Sequence, residues 1–160
     1  MMLRALMFAA LLIGTTLPAT AGYKEGVAAY KDGDYKTAVR EFKTLAEAGN
    51  ARAQYTLGVM YAKGFGVPKN YPEGVKWYRK SAEQGNALAQ LNLGTLYGEG
   101  RGVSRSYVIA YMWWSLAAAR GDKVAAKNLE LVEKSMTRAQ VAKAQAMVAK
   151  WRPKRAKQTK

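Results

Sequence analysis

The chain has 160 residues, 49% hydrophobic and 23% charged, enough to bury the core of one domain. It carries 26 Lys and Arg against 11 Asp and Glu, a formal charge of +15, with no Cys and no His. That composition excludes disulfides, thiolate nucleophiles, Cys/His zinc sites and imidazole acid–base chemistry, and it leaves few carboxylates for any other catalytic centre.

Met1-Met2-Leu3-Arg4 is a short basic start, and Ala5 to Ile13 is apolar but too short to span a bilayer. Ala19-Thr20-Ala21 then places small residues where a signal peptidase requires them. Residues 1–21 therefore read as a signal peptide cleaved after Ala21, which predicts a periplasmic or secreted chain beginning at Gly22.

The rest repeats itself. Residues 51–86 align without a gap on residues 87–122 at a period of 36, with thirteen identities. Gln54, Leu57, Gly58 and Tyr61 recur as Gln90, Leu93, Gly94 and Tyr97, at the spacing of one helix face. Gly64-Phe65-Gly66-Val67 and Gly100-Arg101-Gly102-Val103 break that helix, and a second helix follows through Tyr71, Val75, Tyr78 and Ala82 to a terminal Gly85. A glycine in mid-helix costs about 1 kcal/mol against alanine, so its recurrence at 58 and 94 predicts close packing of a neighbouring helix there. Trp77 and Trp113 share one repeat position and read as core; Trp114 reads equally well as core or as part of an aromatic platform for a sugar or base.

Residues 23–50 form a variant unit with a shorter loop around Gly33 and Asp34. In 123–152, Ala125 and Leu129 keep the register, but Glu130 replaces the packing glycine and Glu133 the tyrosine, as expected of a terminal cap. Thr137 and Gln140 form a capping box that opens one more helix, with an apolar stripe of Val141, Ala144, Val148 and Trp151. Pro153 stops it, and 153–160 is a basic tail. The domain is thus 22–152.

The run from Ala51 to Gly85 closely resembles the SEL-one-like repeat (SLR), a relative of the tetratricopeptide repeat, and 23–50 resembles a tetratricopeptide unit. The resemblance implies an all-α fold, an α/α right-handed superhelix with a C-terminal capping helix pair. It also implies an adaptor that binds a protein or peptide partner in its concave groove, as a small exported bacterial member without cofactor. Some secreted relatives are linked to β-lactam hydrolysis, but those are Cys-rich and this chain has no Cys.

The glycine loops lack the flanking strand and Lys-Ser/Thr of a phosphate loop. No catalytic or metal site is expected, although a hydrolase stands as the third alternative. The changing positions on the first helix of each repeat are Arg52/Leu88, Tyr55/Leu91 and Val59/Thr95. The likeness to tetratricopeptide units turns them toward the concave face, where the apolar ones would form a patch that core packing does not need. Residues 134–160 hold nine basic and no acidic residues. Lys150, Arg152, Lys154, Arg155, Lys157 and Lys160 there suggest a second mode: association with anionic lipid, peptidoglycan or acidic polysaccharide. Nucleic acid is not expected as a partner, and the chain is expected to be a monomer.

Overall fold

A computed structural model describes residues 19–154. The segment 1–18, with most of the expected signal peptide, and Arg155, Lys157 and Lys160 lie outside the described residues. The described chain is a succession of helices: α1 (Ala19–Lys31), α2 (Tyr35–Glu47), α3 (Ala51–Lys63), α4 (Tyr71–Glu83), α5 (Ala87–Glu99), α6 (Tyr107–Ala118), α7 (Lys123–Glu133) and α8 (Arg138–Lys150). α1/α2, α3/α4 and α5/α6 are helix hairpins, and each second helix packs on the first helix of the next unit. The result is an all-α helical repeat superhelix. The expected cleavage after Ala21 would remove the first three residues of α1.

Local chemistry sets the helix boundaries. Asp34, Asn50, Asn70, Asn86, Ser106, Asp122 and Thr137 each accept a backbone N–H from three residues ahead, closing the open N-termini of α2 to α8. At α8 the expected capping box is complete, with Gln140 Oε1 accepting the Thr137 N–H at 2.9 Å. The loop glycines Gly66 and Gly102 have φ of 71° and 73°, which disfavours other residues. They also lie on the start of the preceding second helix. A Cβ at Gly66 would fall 2.4 Å from the Tyr35 carbonyl oxygen, and one at Gly102 would fall 2.6 Å from the Tyr71 carbonyl carbon.

The interior divides into three clusters, each shared between neighbouring units. Phe42, Leu57, Met60 and Trp77 centre the first; Tyr78, Leu93, Leu96 and Trp113 the second; Trp114, Ala117, Val132 and Ala144 the third. Complete burial of side chains such as Leu57 and Leu93 contributes about 1.5–3 kcal/mol each. The expected close packing at the mid-helix glycines is present. A Cβ at Gly58 would lie 2.7 Å from the Tyr78 ring, and one at Gly94 would lie 2.7 Å from the Trp114 indole. Trp77, Trp113 and Trp114 are all buried, so Trp114 belongs to the core.

The recurring glutamine is a joint between units. Gln54 Nε2 donates to the Ala46 carbonyl at 3.0 Å, and Gln90 Nε2 to the Ala82 carbonyl at 3.1 Å. Each adds a second hydrogen bond to a carbonyl at the end of the preceding helix that already accepts the N–H of Gly49 or Gly85. Buried where water cannot compete, these bonds fix the register between units.

The C-terminal pair departs from the hairpin pattern: α8 packs on α6 instead of pairing closely with α7. Exposed Glu130 stands where Gly58 and Gly94 receive an aromatic ring, so α7 offers no seat for a second helix. Met147, Val148 and Trp151 cover the second cluster instead. Past α8, Lys154 reaches back to α4. Its N–H donates to the Glu83 carbonyl at 2.7 Å, and its Nζ lies 2.8 Å from Glu83 Oε2.

Candidate functional site: the groove along the first helices

The first helices α1, α3, α5 and α7 stand side by side, and the 36-residue register aligns their outward positions. Arg52, Thr56, Val59 and Lys63 on α3 correspond to Leu88, Asn92, Thr95 and Glu99 on α5, and to Val124, Asn128, Leu131 and Ser135 in and just beyond α7. The spacing of each set keeps it on one helix face. Three hollows lie between successive first helices.

The first hollow, between α1 and α3, has a volume of about 380 Å³ and is mostly apolar. Val27, Tyr30, Tyr55 and Val59 wall it, Lys31 stands at its edge, and Phe42 of α2 forms its floor. Burial raises the Tyr55 phenol above its ordinary pKa, with a smaller contribution from Tyr30.

The second hollow, between α3 and α5, has a volume of about 400 Å³ and is polar. Lys63, Lys69 and Arg101 surround it with Asn92 and Thr95, over Tyr71 and Tyr78. Lys69 Nζ stands 5.0 Å and the Arg101 guanidinium 5.7 Å from the centre of the Tyr71 ring. Hydrogen bonding by Lys69 holds the Tyr71 phenol below its ordinary pKa, and the charges of Lys69 and Arg101 add to the shift. Glu99, which also lines this hollow, is paired with Arg101 Nε at 3.1 Å.

The third hollow, between α5 and α7, measures about 300 Å³. Thr95, Gly98, Asn128 and Leu131 line it with Tyr107 and the edge of Trp114. Among the described residues the exposed large hydrophobic side chains are Leu88, Val124 and Leu131, at 50%, 58% and 54% exposure. All three occupy outward positions of α5 and α7.

Of the residues expected in the groove, Tyr55 and Val59 line the first hollow and Thr95 lines both the second and the third. Arg52 and Leu88 are exposed on the same column but line none of these three hollows. Leu91 is half-buried against the third cluster, and its carbonyl accepts the Trp114 indole N–H at 3.2 Å. Tyr55 leans on Tyr78 with ring centres 5.9 Å apart. Tyr55, Val59 and Leu91 therefore also take part in core packing, Tyr55 and Leu91 against the second helix of their own units, which the periodicity alone did not show. The sequence reading missed Lys63, Lys69 and Arg101, and it missed Val124 and Leu131. Carrying the period one unit further, from Leu88 to Val124 and from Thr95 to Leu131, would have found the last two.

Of the basic C-terminal residues, Lys150 and Arg152 are exposed. Arg152 donates to the carbonyls of Ala149 and Trp151, and Lys154 is engaged by Glu83.

The Sel1 repeat family pattern matches residues 51–86 and 87–122, the same bounds as the internal period. Residues 51–122 are thus two SLR repeats within a helical repeat fold. Among solved structures it is similar to c5321, a protective antigen present in uropathogenic Escherichia coli strains displaying an SLR fold. The two are 33% identical with a TM-score of 0.79, over 84% of this chain and 30% of that one. It is also similar to a Sel1 repeat protein from Oxalobacter formigenes, at 38% identity and a TM-score of 0.66, over 71% of this chain and 48% of the other. The chain thus spans less than half the length of either. No curated protein matches it. SLR proteins are in general non-catalytic scaffolds that bind protein partners.

Proposed function

We propose that this SLR-containing protein is an exported, non-catalytic scaffold that binds a segment of another protein in the groove along α3, α5 and α7. The observation carrying this reading is the placement of Leu88, Val124 and Leu131. Among the described residues the large apolar side chains left most exposed all stand on the groove columns, although folding gains nothing from exposing them there. Glu99, a carboxylate lining two of the hollows, is held by Arg101, and the chain has no His or Cys, which favours binding over catalysis. Export rests on the basic, apolar and small-residue pattern of 1–21.

Capture from envelope extract at high salt, with wild type and a Leu88→Asp/Leu131→Asp variant, tests the groove. Partners retained by the wild type and lost by the variant support it; partners indifferent to the variant refute it. N-terminal sequencing of the exported protein should begin at Gly22.

A second reading rests on the nine basic and no acidic residues of 134–160, which suit an anionic envelope surface. With Lys154 engaged by Glu83, Lys150 and Arg152 are the described residues of that set best placed to meet it. Salt-sensitive binding to anionic vesicles, lost on Lys150→Gln/Arg152→Gln substitution, tests this mode separately.

A further inference from the structure

The second hollow differs from its neighbours in charge. Lys63 ends α3, Lys69 lies in the following loop and Arg101 in the loop after α5, so three separate positions bring cations to one cavity. Among the described residues neither Lys63 nor Lys69 has an ion-pair partner, while Arg101 is paired with Glu99. Hydrogen bonding by Lys69, with the charges of Lys69 and Arg101 adding to it, lowers the Tyr71 pKa. Hollows with apolar walls lie on either side, one over Phe42 and one beside Trp114 and Leu131.

The order of the hollows follows the order of the helices. The first helices make few close backbone approaches to one another, so they stand at least the roughly 10 Å apart of packed helices, and an extended chain advances about 3.3 Å per residue. One extended segment laid across the first helices therefore meets a new hollow about every three residues at the closest. An uncharged segment would leave Lys63 and Lys69 facing the contact without compensation, and a basic one would be repelled.

We propose that the groove recognises an extended peptide with a side-chain carboxylate seated between Lys63, Lys69 and Arg101, and an apolar side chain about three residues away on each side. The proposal rests on the groove reading above and adds the chemical class of its occupant. The carboxylate accepts charge-assisted hydrogen bonds from the two lysines. The flanking side chains fill the first and third hollows and supply the apolar burial.

Fluorescein-labelled, C-amidated heptapeptide pools test it. Leucine is fixed at the first and seventh positions, the fourth is aspartate, asparagine or lysine, and the remaining positions are mixed. In anisotropy titrations the aspartate pool should bind about tenfold more tightly than the asparagine pool, as expected for hydrogen bonds to a charged group, and the lysine pool should bind weakest. Lys63→Gln/Lys69→Gln, both exposed sites, should retain the wild-type helical signal and melting temperature while binding the aspartate and asparagine pools alike. If the wild type already binds those two pools alike, the acidic subsite is wrong. The groove reading then stands provided Leu131→Asp weakens both. Preference for an acidic polysaccharide over every peptide pool, or binding of no pool, also overturns the proposal, and the envelope capture above then judges the groove independently.

Discussion

Trp114 occupies space left open by the missing side chain of Gly98: a Cβ there would lie 2.9 Å from Cη2 of the indole. One repeat earlier the same two positions are Ala62 and Tyr78, a larger residue facing a smaller ring. The units have exchanged volume across this joint, as close-packed interiors require. Gly98→Ala should destabilise by about 1 kcal/mol, an overpacking cost partly offset by better helix propensity. Trp114→Tyr, which loses the bond to Leu91 and some buried area, should cost about 2 kcal/mol. The double variant restores the pairing of the first repeat and should be about 1 kcal/mol more stable than the sum of the single effects. Urea unfolding of the four proteins closes this cycle, and strict additivity would contradict the volume exchange.

Gln90 presents a second asymmetry. Gln84 Nε2 donates to Gln54 Oε1 at 2.7 Å and to the Gly49 carbonyl at 3.0 Å. One repeat on, Arg120 stands at the position of Gln84 with its guanidinium against Gly85, and Gln90 Oε1 is buried without a hydrogen-bond partner. Arg120→Gln should supply the missing donor and raise stability by about 1 kcal/mol. An unchanged denaturation midpoint would mean that solvent already satisfies this oxygen.

Alkaline pH should loosen the centre of the stack. Burial raises the Tyr78 phenol far above its ordinary value of 10.0, with smaller contributions from Tyr55 and Tyr30. Folded protein then holds protons that the unfolded chain releases, so stability is full below the unfolded value near pH 10 and falls as pH rises beyond it. Tyr78→Phe should flatten this alkaline limb in unfolding curves collected between neutral pH and pH 11. A limb as steep as in the wild type would place its origin elsewhere.

The repeat fold was legible because period 36 is written in residues whose roles are local and geometric. Gly58 and Gly94 mark ring contacts, Gly66 and Gly102 mark turns, and Gln54 and Gln90 mark the joints. The first-helix columns were legible for the same reason. The path of α8 was not, because its stripe of Val141, Ala144 and Val148 says that a face is buried without saying against which helix. The basic hollow was hidden too. Lys63, Lys69 and Arg101 sit at helix ends and in loops, on two different repeats, and no single periodicity joins them.

Binding and folding should separate along α3 to α7. Leu131→Ala removes a side chain more than half exposed, and should change stability by less than about 0.5 kcal/mol while weakening partner binding. Leu57→Ala empties a fully buried site and should cost about 2–5 kcal/mol. Tyr55→Ala should affect both, since Tyr55 walls the first hollow and also packs on Tyr78. A Leu131→Ala variant that unfolds readily would mark that residue as structural and remove it from the groove.

α8 should be the most detachable element after its anchors are cut. Packed on α6 with no hairpin partner of its own, it depends on Ala144, Val148 and Trp151, and on the reach of Lys154 to Glu83. The ion pair is exposed and contributes about 0–1 kcal/mol, so Lys154→Ala should scarcely shift unfolding. The indole of Trp151 is half-buried on the second cluster, and its truncation should cost about 2 kcal/mol. In a repeat stack such a loss stays near its origin. Hydrogen exchange on Trp151→Ala should show faster exchange of the α8 amides with those of α2 and α3 unchanged. Uniform acceleration through the chain would mean that α8 folds as one unit with the repeats, not as a separate clasp laid over them.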